Sequence, residues 1–135
     1  LFIPANNVVV YDHLAADPKL YEGLQLAFLL GTQIPEKTMR TVEAFVRNGG
    51  VAATVPRLAP AGIRKQFKKG TTTVPEGRGK WVLFTDAADP ALKQTLAPYL
   101  GSPDELRYRF GETEIIFTAP KDFGQLEVQV RRARR

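Results

Sequence analysis

Five polar residues follow predicted strands, and their types could support acid–base, metal or ligand chemistry: Asp12, His13, Thr32, Arg57 and Asp86. Asp12 and His13 place a carboxylate beside an imidazole, a combination that proteins use for proton transfer and for binding metals. Adjacent residues project in different directions, however, and no third ligand accompanies them. We therefore expect a capped or exposed His13, and we predict neither a metal site nor a cofactor.

The five residues share a position in the fold that the sequence predicts. In open parallel sheets, ligands bind beyond the carboxyl ends of the strands. The five side chains could therefore converge on a small ligand at that edge. They could also simply end strands and begin loops, which is the interpretation we favour.

Composition excludes several kinds of site. The chain of 135 residues has no cysteine and one histidine. The first fact excludes disulfides, thiolate metal sites and cysteine nucleophiles, and the second argues against a histidine relay. No apolar run is long enough to cross a bilayer, so no membrane partner is expected. The start of the chain lacks the features of a signal peptide, and we expect it to belong to a longer polypeptide. Nothing in the sequence indicates a compartment.

Two basic clusters could hold a polyanion. The first is formed by Arg64, Lys65, Lys68 and Lys69, and the second is a C-terminal tail that includes Arg131 and Arg132. The net charge is +5, and the tail supplies most of it. Neither a recognition helix nor a repeated basic–aromatic pattern accompanies these residues. We therefore expect a solvated face and a frayed tail rather than a nucleic-acid site.

The clearest elements form a strand–helix–strand unit. Residues 24–30 are continuously apolar, which is typical of a strand covered on both faces. Residues 35–48 predict a helix with Met39, Val42, Phe45 and Val46 on its buried side. Asn48, Gly49 and Gly50 end that helix, and residues 51–55 form the next buried strand. This order is typical of a parallel βαβ unit.

The rest of the chain contains a mixed helix and strand pattern, followed by a pattern of strands alone. We predict a strand at residues 8–11, a short helix within 60–69, an exposed loop at 70–79 and a strand at 80–85. Asp89 caps a further helix that begins at Pro90. Residues 107–110, 114–117 and 126–131 predict an antiparallel β-meander. Residues 1–100 would thus form an α/β core, and residues 101–135 would extend the same domain with the meander and the basic tail.

Part of this pattern resembles a known family. The run from residue 24 to residue 55 resembles the strand, helix, Gly-Gly and strand of class I glutamine amidotransferase-like domains. Residues 42–51, Val-Glu-Ala-Phe-Val-Arg-Asn-Gly-Gly-Val, are the most specific part. They are especially similar to the non-catalytic version in β-galactosidase trimerisation domains and other glycoside-hydrolase modules. The strand entry at residues 77–84 is also similar, while the first strand and helix of a complete domain are missing or shortened.

The resemblance implies a flavodoxin-like fold, a three-layer α/β core with a parallel sheet, without catalysis. In that family a cysteine nucleophile stands on the turn after the strand that corresponds to residues 51–55, and a downstream histidine supports it. Here the turn reads Thr54-Val55-Pro56-Arg57, and no histidine follows His13. No base is available to activate Thr54. We therefore expect no catalytic residue and no enzymatic activity in this domain.

These observations lead to two expectations for function. The first is a non-catalytic structural or interaction domain, an accessory or oligomerisation module of a larger carbohydrate-active protein. Its partners would be other domains of that protein or further copies of the chain. The alternative is a binding module, for a small ligand at the strand ends or for polyanions through the basic residues.

Overall fold

The computed structural model describes residues 13–100, 105–118 and 127–132. They belong to two compact units, the first ending at Tyr99 and the second starting at Leu100. The first unit contains strands β1 (Leu26–Leu29), β2 (Val51–Thr54), β3 (Thr71–Glu76) and β4 (Gly79–Phe84), and helices α1 (Glu36–Arg47), α2 (Ala61–Arg64) and α3 (Pro90–Leu96). The second contains strands β5 (Glu105–Phe110), β6 (Thr113–Thr118) and β7 (Glu127–Arg132). Asp12 and the strand predicted at residues 8–11 lie outside the described residues.

The first unit is built on a four-stranded sheet of order β1-β2-β4-β3. Strands β1, β2 and β4 are parallel, while β3 is antiparallel to β4. The predicted α/β class with a mostly parallel sheet is therefore confirmed. The loop predicted at residues 70–79 is wrong, because its β-branched residues form β3 and only Gly77 and Arg78 make the turn into β4. Gly77 has a φ of +59°, which a tight hairpin turn of this kind requires.

Helix α1 begins and ends where its sequence predicts. Pro35 precedes it, and at its other end the Gly50 N–H donates to the Phe45 carbonyl at 3.0 Å. Gly49 allows this ending with a φ of +113°, in the left-handed region that favours glycine. Val42 and Val46 are fully buried, as predicted, whereas Met39 and Phe45 pack only partly against the core.

The two faces of the four-stranded sheet are both covered. Val42 and Val46 of α1 pack with Trp81 and Leu83 of β4 in one buried cluster. Side chains alternate along a strand, so Val82, which is also fully buried, lies on the opposite face. Helix α3 contacts β4, and its fully buried Leu92 and Leu96 are not part of the cluster beneath α1. Because of this we place α3 on the opposite face.

The second unit is a three-stranded antiparallel sheet of order β5-β6-β7. Gly111 and Glu112 form the turn between β5 and β6, where Gly111 has a φ of +58°. The predicted C-terminal antiparallel strands are therefore present, and β7 continues to Arg132. Among the described residues, no helix has the length and apolar character needed to cross a bilayer.

Candidate functional site

The structure brings Arg57 and Thr32 together at the ends of the parallel strands. The Arg57 guanidinium donates to the carbonyl oxygens of Thr32 at 2.7 Å and Gly31 at 2.5 Å. Beside them, the buried Thr54 hydroxyl donates to the Leu29 carbonyl at 2.8 Å. These polar side chains therefore fix the loop after β1 and join β1 to β2.

Asp86, which is also predicted at a strand end, forms its hydrogen bond within its own turn. The Asp86 carboxylate accepts from the Ala88 N–H at 2.8 Å, which closes a local turn before α3. His13 is exposed in the turn at residues 13–16, and Asp12 lies outside the described residues. Within the described ranges, no three His, Asp or Glu side chains are grouped so that they could hold a metal ion.

The first basic cluster lies next to the edge strand β3. Arg64, Lys65, Lys68 and Lys69 are all exposed, and none forms an ion pair with another described residue. The three lysines and residues 71–74 line a shallow depression of about 690 Å³. Arg64, at the end of α2, is not among the lining residues. Three of the four predicted residues thus share one surface.

The second basic cluster is not a frayed tail where the structure describes it. Arg131 and Arg132 belong to β7, and their guanidinium groups pair with Glu114 and Glu112, each at 2.7 Å. The expectation of a frayed tail is therefore wrong for these two residues, which are exposed but belong to a strand. They contribute to the polar side and rim of the antiparallel sheet, so two of the six predicted polyanion-binding residues are already paired with carboxylates.

One face of the antiparallel sheet is apolar, and most of it is exposed. The register aligns Tyr108 with Ile115 and Val130, and Phe117 with Val128. Phe110 continues the same row on β5, and the rings of Tyr108 and Phe117 meet edge to face at 5.8 Å. Exposure is 45% for Tyr108, 66% for Phe110, 50% for Val128 and 67% for Val130. We call this set the apolar sheet face: Tyr108, Phe110, Ile115, Phe117, Val128 and Val130.

The other face of the same sheet has the opposite character. Glu114 and Arg131, which lie opposite each other in the register, form an ion pair there, and the neighbouring Gln129 is exposed. Ile116 is buried on that side. A three-stranded sheet gains stability by burying an apolar face, so an exposed one is a surface that a partner can cover.

A second exposed apolar region lies at the β1 edge of the first unit. Leu24 and Leu30 flank β1 and are 45% and 66% exposed. The Val51 N–H donates to the Gln25 carbonyl at 3.0 Å, so Gln25 and every second residue after it face β2. The backbone groups of Leu26 and Phe28 consequently point away from β2, and no described strand pairs with them. We call residues 24–30 the open edge.

A groove lies between residues 18–25 and helix α1. Its volume is about 890 Å³, and its aromatic lining comes from Tyr21, Phe45 and Tyr99. The rings of Tyr21 and Phe45 are tilted against each other with centroids 5.3 Å apart. The Tyr21 hydroxyl donates to the Ala15 carbonyl at 2.8 Å, and burial raises the pKa of this phenol. The side chain therefore holds the segment before β1 against α1.

The sequence analysis did not single out the apolar sheet face or the open edge. The signal for the first was present in part, because apolar and polar residues alternate in β5 and along residues 127–131 of β7. The signal for the second was misleading, because a continuous apolar run is typical of a fully covered strand. No protein-family model, curated protein or solved structure matches this chain.

Proposed function

We propose that this chain is a non-catalytic interaction domain that covers its apolar sheet face with a protein partner. The observation that carries the proposal is the exposure of Tyr108, Phe110, Val128 and Val130 on one face of a three-stranded sheet. Aromatic rings and valines at the centre of a face, with a charged residue such as Arg132 only at its rim, are typical of a protein interface.

The strand ends support the non-catalytic part of the proposal. The hydroxyl of Thr54, which stands where a nucleophile would be required, is buried and donates to the Leu29 carbonyl. A nucleophile needs a base within hydrogen-bond reach, and here the hydroxyl proton is already committed to a backbone oxygen. The Arg57 guanidinium likewise already donates hydrogen bonds to two carbonyl oxygens of the loop after β1.

The wider identity of the domain is part of the same proposal. The mostly parallel sheet with a βαβ unit supports a flavodoxin-like, three-layer core of the amidotransferase-like type, although the antiparallel β3 departs from a purely parallel sheet. On that resemblance, the domain would be an accessory or oligomerisation module of a carbohydrate-active protein. The covering partner would then be a neighbouring domain or another subunit.

The lysine cluster favours a second candidate function, the binding of a polyanion. Lys65, Lys68 and Lys69 line one depression without carboxylate partners among the described residues. Retention on a heparin column should then fall further in K68E than in K19E, which is a control of equal charge change outside the depression. Equal retention of K68E and K19E would contradict this second candidate.

The interaction function is tested by the native mass of the complex that the protein forms in the cells that make it. The variant F110S/V130S should move the chain from its assembly to a smaller native mass, because both side chains lie on the apolar sheet face. Q129S changes the opposite face of the same strand and should leave the assembly intact. An unchanged native mass for F110S/V130S would contradict the proposal.

A further inference from the structure

We propose that two copies of this chain associate through the open edge, with β1 of one copy pairing antiparallel to β1 of the other. The two four-stranded sheets would then become one continuous sheet across a two-fold axis. This site is separate in sequence and in kind from the apolar sheet face, because it uses backbone groups of the first unit. Homodimers with two-fold symmetry are the commonest protein oligomers, and their interfaces must be self-complementary.

The backbone of β1 supplies the first argument. Gln25 and the residues that alternate with it are bonded towards β2, which leaves the N–H and C=O groups of Leu26 and Phe28 facing outwards. No hydrogen bond of these two residues to another described strand is present. An unpaired strand edge is a template for another strand. Antiparallel pairing about Phe28 would place Leu26 of each copy opposite Leu30 of the other.

The side chains supply the second argument, because in that register the side chains of one copy complement those of the other. Residues 24–30 contain no charge, and Leu24 and Leu30 are exposed at its two ends. Glu22 is exposed before the strand, while Arg57 is exposed beyond its other end at the carbonyls of Gly31 and Thr32. Antiparallel pairing would therefore bring the carboxylate of each copy towards the guanidinium of the other. This charge complementarity favours a second copy as the occupant.

The opposite edge of the same sheet is unsuited to such pairing. The Lys80 N–H donates to the Gly50 carbonyl at 3.2 Å, so Lys80 faces β2 and its partner Pro75 faces away from the sheet. Pro75 has no N–H to offer, and Lys68 and Lys69 stand just before β3. Proline and lysine are the residues with which proteins protect sheet edges. The β1 edge has neither, which singles it out for association.

Sedimentation equilibrium of the purified chain tests the inference. The wild type should form a dimer at about 100 µM, and Leu30→Lys should raise the dimer Kd by about 100-fold, since the change occurs twice in a symmetric interface. Far-UV circular dichroism should remain unchanged, because Leu30 is mostly exposed. Thr73→Lys places the same charge on the β3 edge and should leave the dimer intact.

The possible outcomes separate this inference from the proposed function. A monomeric wild type, or a dimer that survives Leu30→Lys, would overturn pairing at the open edge. A dimer that is lost in F110S/V130S but kept in Leu30→Lys would also overturn it, because the second copy would then occupy the apolar sheet face. None of these three results depends on the native assembly, so the proposed function can stand while this inference fails.

Discussion

The two sheets of this chain differ in how far their faces are buried. The four-stranded sheet is covered on both sides, so that Trp81, Val82 and Leu83 of β4 have no exposed surface. The three-stranded sheet buries Ile116 on one side and exposes Phe110 and Val130 on the other. Parallel strands joined by helices cover themselves, whereas antiparallel hairpins bring no helix with them. The difference explains why one sheet provides a buried core and the other an exposed apolar face, on which the proposed function rests.

The largest loss of stability is expected at Gly79, where the four-stranded sheet has no space for a side chain. A Cβ atom on Gly79 would overlap the carbonyl oxygens of Val46 and Gly50. Gly79→Ala should therefore destabilise the fold by more than about 4 kcal/mol or prevent folding. Chemical denaturation measures the change. Gly62→Ala is the matched control, because a Cβ there meets no atom within 4 Å and should change stability by less than about 1 kcal/mol. Equal effects would contradict the tight packing of the covered sheet.

A matched pair of valines sharpens the comparison between the sheets. Val82 has 0% exposure and Val130 has 67%, and both lie in strands. Val82→Thr should cost about 1–3 kcal/mol, because it buries a hydroxyl among apolar groups. Val130→Thr keeps the β-branched shape in an exposed position and should cost less than about 0.5 kcal/mol. Urea denaturation of the purified variants would contradict the comparison if the two costs were equal.

Glu76 connects the β3 edge to the buried core through a hydrogen bond with Trp81. Its carboxylate accepts from the buried indole N–H of Trp81 at 2.6 Å and from Arg47 Nε at 3.1 Å. Glu76→Ala should cost about 1–3 kcal/mol, because the indole N–H loses its acceptor. Glu76→Gln keeps an acceptor and loses only an exposed ion pair, so its cost should stay below about 1 kcal/mol. Equal losses for Gln and Ala would show that the ion pair, and not the indole hydrogen bond, matters.

Low pH should reduce the stability of the fold by protonating Asp89 near the same edge. This is the smallest effect that we predict. The Asp89 carboxylate accepts from the Thr71 hydroxyl at 2.7 Å and from the Ala91 N–H at 2.9 Å, and these bonds lower its pKa below the ordinary 3.8. Its contribution to stability is therefore complete above pH 3.8 and disappears as the pH falls through the lowered pKa. Denaturation across this range should show a weaker acid dependence in Thr71→Val than in the wild type. An identical dependence would contradict the role of this bond.

Much of the core could be predicted because its signals are local. Pro35, the apolar spacing of Val42 and Val46, and the Gly49–Gly50 ending define α1 from the sequence alone. The loop predicted at residues 70–79 was wrong because its glycine, proline and threonine residues were interpreted as a loop composition, although proline is tolerated in a strand where its nitrogen faces away from the sheet. Arg57 and Thr32 could be placed at one edge, but their hydrogen bond depends on the loop conformation.

The surfaces that support the proposals could not be predicted in the same way. Exposure of residues 24–30 depends on β1 being at the edge of the sheet, and strand order arises from pairings between distant residues. The alternation in β5 and β7 is typical of a sheet with one apolar face, but it does not tell whether another element covers that face. Arg131 and Arg132 were assigned to a tail because their acidic partners, Glu114 and Glu112, are distant in sequence.

The most direct test of the central claim is hydroxyl-radical footprinting of Tyr108 and Phe110, with the purified dilute chain compared to the protein inside the cells that make it. Both rings are exposed in the chain alone and should be oxidised there. Inside the cell a partner should protect them, while the exposed Pro75 on the β3 edge should be labelled equally in both samples. Equal oxidation of Tyr108 and Phe110 in the two samples would contradict the claim that the apolar sheet face is an interaction surface.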